Sequence, residues 1–278
     1  MIDSLIIKHL FCPCCRADVK TENDGSTLVC LGQRKHSFDF SSKGHVNLAL
    51  MQGVTGDSKD AVRSRSEFLD AGYYRPIADK LCEILRKYKN EGLVIDAGCG
   101  EGYYTARIAD EGYLTAGFDL SKFAVMSTAS RLKCKTDERN FAAVASVFEL
   151  PVKDKTADAV VSIFAPCVEN EFARVLADEG ILVVVSAGEE HLMGLKRALY
   201  KEVYKNDERA DMPRQMSLSS RERLKYTVTV EGQKNIQNLF SMTPYYWRTS
   251  REDAKKLEGL SSLTTEIDIL FSIYKKEC

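Results

Sequence analysis

The 278-residue sequence predicts an α/β fold, a parallel sheet covered by helices on both faces, with a small cysteine-rich module ahead of it. Three observations carry this. From residue 92 onward short apolar, β-branched runs alternate with amphipathic stretches, the pattern of successive βα units. One junction, Leu93 to Thr105, runs from an apolar strand through Gly98, Gly100 and Gly102 into a helix-spaced segment, the opening of a nucleotide-binding βαβ unit. Of nine cysteines, Cys12, Cys14, Cys15 and Cys30 crowd into the first thirty residues.

Composition sets the bounds. Hydrophobic residues make up 44% of the chain, enough for a sizeable core, and the net charge of −1 argues neither for nor against nucleic acid. No apolar run reaches membrane-spanning length, and Met1-Ile2-Asp3-Ser4 is not the basic start of a signal peptide. The expected compartment is the cytoplasm, with no membrane partner. An odd, unevenly spaced cysteine set in such a chain is not a disulfide framework.

The clustering points to metal instead. Cys12 and Cys15 form a C-x2-C knuckle, followed by Cys30 and His36. Three thiolates and an imidazole suit a closed tetrahedral zinc site. Cys14, one residue from Cys12, is poorly placed for a second ligand, and His45 is the rival to His36. Residues 1–45 hold few aliphatic side chains, so a metal is expected to supply folding energy there. From residue 31 to 66, Arg34, Lys35, Lys43, Lys59, Arg63 and Arg65 outnumber Asp39, Asp57 and Asp60, with Phe38 and Phe40 interleaved. A basic rim around a zinc module is a plausible RNA-docking surface; the alternative is an ordinary solvated face.

Gln52 to Lys59 reads as a polar, Gly-containing linker. Helices are expected over 60–69 and 77–88, with Tyr73 and Tyr74 at their junction. Further strands are expected near 93–97, 114–119, 141–145, 158–164 and 180–187, with helices near 103–111, 122–133, 168–177 and 191–204. Last come strands near 226–230 and 266–274. The expected boundaries are 1–50 for the zinc-binding, RNA-docking module, 51–91 for the linker and two leading helices, and 92–278 for the catalytic domain.

The glycine turn names a ligand class. Gly98-Cys99-Gly100-Glu101-Gly102 is G-x-G-x-G, whereas a dinucleotide site wants G-x-G-x-x-G beneath a pyrophosphate. Asp96 before the turn and Glu101 within it would repel a pyrophosphate and suit a cationic ligand with a free ammonium. S-adenosylmethionine carries both an ammonium and a sulfonium. The segment resembles motif I of Rossmann-like class I methyltransferases. Candidate contacts along it are Asp96, Gly98, Gly100, Glu101, Gly102, Tyr104 and Thr105. Asp119 ends the next strand, 23 residues after Asp96 and just before Leu120, where an acid accepts ribose hydroxyls. Ser146 opens the loop that borders the adenine, with Phe148 or Leu150 able to pack on its face.

Ala165-Pro166-Cys167 follows the fourth strand, where the methyl acceptor meets the sulfonium. Cys167 is read as lining rather than nucleophile. Residues 195–225 carry nine Lys/Arg against five acids, read as a basic insert able to contact phosphates near the active-site mouth.

Together these stretches resemble the large-subunit (23S) ribosomal RNA guanine-N1-methyltransferases. The matching pieces are Cys-Pro-x-Cys with Cys30 and His36, Gly44-His45-Val46-Asn47-Leu48, Phe68 to Gly72, Asp96 to Thr105, Ala165-Pro166-Cys167, His191-Leu192-Met193 and Met242-Thr243-Pro244. Cys14 and the gap between Cys30 and His36 depart from the pattern. The resemblance implies zinc and S-adenosylmethionine, adds Tyr74 and His191 to the cofactor contacts, and implies methylation of a guanine N1 in an RNA hairpin loop. It leaves a homodimer open. Glu169 and Glu171 are the candidate catalytic carboxylates. A small-molecule methyltransferase and a non-catalytic RNA-binding protein remain the competing classes.

Overall fold

The computed structural model describes residues 5–50, 56–134, 136–208, 213 and 216–276. The first segment forms β1 (Val19–Glu22), β2 (Thr27–Cys30) and β3 (Ser37–Asp39), a small antiparallel sheet, and then β4 (Val46–Asn47). Two helices follow, α1 (Lys59–Asp70) and α2 (Arg75–Tyr88). The alternating region is β5 (Leu93–Ala97), α3 (Tyr103–Asp110), β6 (Leu114–Asp119), α4 (Lys122–Arg131), β7 (Asn140–Val144), β8 (Ala157–Ile163), α5 (Glu169–Val175), β9 (Leu176–Ala187) and α6 (Met193–Leu199). The chain ends with β10 (Ser217–Glu231), α7 (Gln233–Ser241), α8 (Arg251–Lys255) and β11 (Ser262–Lys275).

The large sheet has the order β10-β11-β9-β8-β5-β6-β7-β4. The pairs from β9 through to β4 are parallel, while β11 runs antiparallel to both β9 and β10. Strand order reverses between β5 and β8, and ligands of such sheets sit at the carboxyl ends beside that point. The inner strands are buried on both sides, which explains their unbroken Val, Ile and Ala runs. Ser58 and Ser121 cap α1 and α4 by accepting from Ala61 N and Ala124 N.

Four differences from the sequence expectations have physical causes. β4, from the cysteine-rich segment, extends the large sheet by pairing with β7, and Leu48 N donates to Val144 O. A two-residue strand is too short to show a period. The helix expected over 191–204 is only Met193–Leu199. Beyond it Lys196 Nζ donates to Tyr204 O and Asn206 Oδ1, drawing the chain back on itself. The strand expected at 226–230 begins at Ser217, so residues 217–225 are sheet edge rather than insert. Its solvated outer face made it read as a charge run. α7 was missing from the expected elements; its buried Ile236, Leu239 and Phe240 supply too short a pattern to stand out.

Two apolar layers cover the large sheet. One gathers Phe68, Leu81, Leu85, Val161, Val183, Leu195 and Phe271 from α1, α2, α6 and the strands between. The other joins Ile6, Leu10, Leu28 and Val46 of the N-terminal segment to Ile95, Phe141, Leu182 and Phe172. The N-terminal segment therefore shares the core of the sheet, and apolar burial contributes to its folding. Among the described residues no helix is long and apolar enough to cross a membrane.

Candidate methyltransferase site and Cys/His cluster

β5 delivers Asp96 to the sheet's carboxyl edge, fully buried. One carboxylate oxygen accepts from Thr105 Oγ1 at 2.6 Å, and the other, Oδ1, has no hydrogen-bond partner. Burial pushes this carboxyl up to about 7, opposed by the Thr105 bond and reinforced by Asp119 and Glu101. An under-satisfied buried carboxylate is costly, and a ligand bringing N–H or O–H donors with positive charge would relieve it.

The glycine turn is tightly constrained at two points. At Gly98 (φ +85°) an added Cβ would lie 2.6 Å from Ala165 Cβ, so the turn presses against the loop after β8. At Gly102 (φ +85°) it would lie 2.7 Å from Thr128 Cα. Both need glycine for conformation and for space. Gly100 differs: a Cβ there would meet only Arg65 Nη1, at 3.5 Å, so its outer side is open.

Arg65 is a residue that sequence reading misplaced. It was counted with the basic RNA-docking rim, yet it points inward to Asp57 (2.5 Å) and Glu101 (3.8 Å). Burial opposes its charge, but Asp57, Glu101 and Asp119 hold it on. Glu101 is itself buried, which raises its carboxyl, while Arg65 pulls it down. Asp119 accepts from Gly100 N (3.1 Å) and Ser121 N (2.7 Å), tying the end of β6 to the turn after β5. Burial raises its carboxyl, and those two N–H groups counteract the shift. Leu120 and Ser146 are both half-buried and line one cavity beside this point.

Across the switch point, Tyr74 and His191 meet. Both are buried, with the Tyr74 hydroxyl 3.4 Å from His191 Nε2. Asp268 N donates to His191 Nδ1 at 3.4 Å, which assigns the ring proton to Nε2. Burial pushes His191 down to about 4, so the ring is neutral near pH 7. Tyr104 is also buried, and its hydroxyl has no partner. Phe164, at the end of β8, stacks on His191 with centroids 6.1 Å apart and planes 15° apart. It is 47% exposed and has φ +52°. A bulky residue held there costs about 1–3 kcal/mol and marks functional positions. Nothing in sequence singled it out beyond its place before Ala165.

Of the candidate acids, Glu171 is engaged elsewhere. Its oxygens accept from Leu150 N and from Arg174, so it fixes the loop after β7. Glu169 sits half-buried in the first turn of α5.

The structure brings Cys12, Cys15, Cys30 and His36 together, with all four ligand atoms within 4.8 Å of one another. Cys15 and Cys30 sulfurs lie 3.3 Å apart, and His36 Nδ1 is 3.4 Å from Cys12 Sγ. Gly32 N donates to Cys30 Sγ, an outer-shell contact of the kind that orients metal thiolates. Cys14 lies outside the cluster, and His45 instead bonds Ser41 Oγ at 2.7 Å. The donor set and spacing fit a tetrahedral cation.

The basic segment 195–225 is largely neutralised. Arg197 pairs with Glu266, Lys205 with Glu189, Arg223 with buried Asp268, and Lys225 with Glu190. Lys196 is buried. Arg209 and Arg214 lie outside the described residues. Four of the nine basic residues expected to contact phosphates are thus already paired with acids of this chain.

A largely parallel sheet of this order, with a glycine turn after β5 and acids ending β5 and β6, defines a class I methyltransferase. A methyltransferase-domain profile matches residues 89–243. The chain is 28% identical to the Streptomyces fradiae 23S rRNA (guanine(748)-N(1))-methyltransferase over 94% of this chain and 95% of that one. It is 31% identical to a Micromonospora griseorubida protein provisionally named 23S rRNA (guanine-N(1)-)-methyltransferase, covering 68% of this chain and 69% of the other. A Bacillus subtilis protein with the same provisional name is 28% identical over 94% of this chain and 96% of its own length. The chain belongs to this 23S rRNA (guanine-N1)-methyltransferase family.

Proposed function

We propose that the protein transfers a methyl group from S-adenosylmethionine to N1 of a guanine in a hairpin loop of large-subunit ribosomal RNA. The observation that carries this is the pairing of an unsatisfied buried acid, Asp96, with an exposed strained aromatic, Phe164, across one glycine turn. The first suits the donor's ammonium end, and the second suits a base swung out of its stack. Asp119 takes the ribose hydroxyls, and Glu101 with Arg65 sets the charge around the turn. Tyr74, Tyr104 and His191 wall the methionine side.

The sulfonium, when bound, supplies an electrophilic methyl. The chain supplies orientation. Guanine N1 carries a proton and its lone pair is delocalised, so it is a weak nucleophile. Its proton passes to solvent water as the methyl moves from the sulfonium and S-adenosylhomocysteine leaves. Placing N1 in line with the methyl is where rate is gained. A base stacked on Phe164 would lie beside the Gly98–Ala165 contact, at the mouth of the donor site. His191 is neutral, with Nδ1 occupied by Asp268 N, which makes it a rigid support for Phe164 rather than a proton acceptor. Zinc in the Cys12, Cys15, Cys30 and His36 cluster has a structural role, since four protein ligands leave no open position. The exposed Arg34 and Lys35 beside it are the RNA contacts.

The test is incubation of the zinc-loaded protein with labelled S-adenosylmethionine and unmodified 23S RNA, followed by primer extension. N1-methylguanine cannot pair normally, so extension should stop at one hairpin-loop guanine. Label transfer to no RNA, with donor binding intact, would overturn the proposal and favour a non-catalytic RNA-binding role.

A further inference from the structure

Tyr245-Tyr246-Trp247 is a run of three aromatic residues that includes the chain's one tryptophan. It lies in the short turn Pro244–Trp247 between α7 and α8. Trp247 is 84% exposed and Tyr246 45% exposed, so the indole contributes little to the core. We propose that Trp247 is a stacking platform for an unpaired base of the RNA hairpin loop, a second one in addition to Phe164. The inference rests on the RNA reading given above.

The fold holds the indole out in solvent. Its ring meets Tyr246 edge to face, with centroids 5.0 Å apart and planes at 86°, and Tyr246 in turn meets the buried Phe240 of α7 at 5.4 Å. Tyr245 O closes the turn by accepting from Arg248 N (3.0 Å), Thr249 N (2.9 Å) and Thr249 Oγ1 (2.8 Å). An edge-to-face contact occupies at most one face of the indole and leaves the other open, and every base has a π-face to lay on it. A ring already braced loses little freedom when a base binds. The surrounding charge selects the occupant. Between residues 244 and 256, Arg248, Arg251, Lys255 and Lys256 stand against Glu252 and Asp253, and Asp253 pairs with Lys256. Arg248 and Arg251 are exposed and enter no ion pair among the described residues, unlike Arg197, Lys205, Arg223 and Lys225. Open cations beside an open aromatic face suit a polyanion whose bases are unstacked. A two-fold contact between copies of this chain would set those cations against themselves.

The platform is tied to the wall that carries Phe164. The Tyr245 hydroxyl donates to Asn206 Oδ1 (3.1 Å), and Asn206 Nδ2 donates to Gly188 O (2.9 Å) and His191 O (3.1 Å). The His191 ring is the one on which Phe164 stacks. One side chain, Asn206, therefore joins the turn bearing Trp247 to the residue that supports Phe164. Two aromatic supports on one frame hold a single-stranded loop at two points. Stacking accepts any base, so Trp247 sets where the loop lies, while the donor site decides which atom reacts.

The single indole is its own reporter. The zinc-loaded full chain, with S-adenosylhomocysteine, is titrated with the unmodified 23S RNA hairpin that primer extension marks. Tryptophan emission and the anisotropy of labelled RNA are followed together. Emission should fall as RNA binds, because a base stacked on the indole quenches it. Trp247→Ala should raise KM for RNA about tenfold, the order for one stacked base, with kcat little changed. Trp247→Phe should restore most of the loss. The side chain is largely exposed, so thermal unfolding and S-adenosylhomocysteine affinity should match the parent. RNA binding with unchanged emission, or a parent-like KM in Trp247→Ala, would overturn the inference and leave the proposed methyl transfer standing. Emission that changes with protein concentration in the absence of RNA would also overturn it and mark a contact between copies. A parent that binds no RNA would remove the RNA reading itself, and this inference with it.

Discussion

The Cys/His cluster and the acid-lined strand ends are two polar centres built in opposite ways. The cluster is made from residues 12 to 36, and its four ligand atoms face one another. The strand-end site draws Asp57 and Arg65 from the chain before β5, Asp96 from β5, Glu101 from the glycine turn, and His191 and Asp268 from the far side of the sheet. The first closes on itself within one local fold. The second leaves Asp96 Oδ1 and the Tyr104 hydroxyl without partners. The difference separates a site built to stay closed from one built to receive and release a ligand.

The sharpest way to break the contrast is at the cluster. Cys30→Ser should abolish stable metal binding, which in small zinc peptides is worth about 10–16 kcal/mol. Because Ile6, Leu10, Leu28 and Val46 pack into the sheet's core, the segment should loosen without detaching. Hydrogen exchange would report faster amides over residues 5–50 and unchanged protection in β5 and β8. Zinc content equal to the parent's would mean the ligands are misassigned.

Asp96→Asn tests the other centre, with opposite effects on stability and binding. A carboxyl held near 7 when folded and near 3.8 when unfolded binds more protons in the folded chain. Its penalty therefore grows as pH rises from about 4 to about 7 and persists above. The variant should match the parent near pH 4 and exceed it at pH 8 by up to about 4 kcal/mol. It should also bind S-adenosylhomocysteine far more weakly. Denaturant titrations at the two pH values would check the first, and a variant no more stable at pH 8 would remove the claim that Asp96 is strained without its ligand.

Phe164→Ala should leave donor affinity near the parent's and lower kcat/KM on RNA about tenfold, the order for loss of one stacked base. An unchanged kcat/KM would exclude Phe164 as the acceptor platform. The smallest effect is at the module's rim. Reversing Arg34 and Lys35 to Glu should weaken RNA binding and make its log–log salt dependence shallower by about 1.4, at about 0.7 per single-strand phosphate contact. Donor affinity should not change. A parent-like salt slope would make the cluster's role structural alone.

Much of this was legible in the chain because the signals are local. The buried strand before the glycine turn, the acids at its end and at the end of β6, and the knuckle with Cys30 and His36 all depend on spacing within one element or turn. What spacing does not carry is the direction a charge faces. Arg65 counted as surface base and proved to be the counter-ion of Asp57 and Glu101. Arg223 and Lys225 counted as phosphate contacts and proved to be partners of Asp268 and Glu190. A charge run in sequence says nothing of whether an acid from another strand lies opposite.

The sequence by itself determined the α/β class, the glycine turn, the acids that flank it and the Cys12-Cys15 knuckle with Cys30, because each follows from backbone conformation or from spacing over a few residues, while it left His36 and His45 as rivals. Only the tertiary structure decided that the cysteine-rich segment adds a strand to the large sheet, that Phe164 is held exposed on His191, and that Phe11 and Leu50 face Leu120 and Ser146 across one cavity. Those arrangements depend on which surfaces meet when the two apolar layers close on the sheet. That choice is made by burial summed over the whole chain, with no counterpart in any short stretch of it.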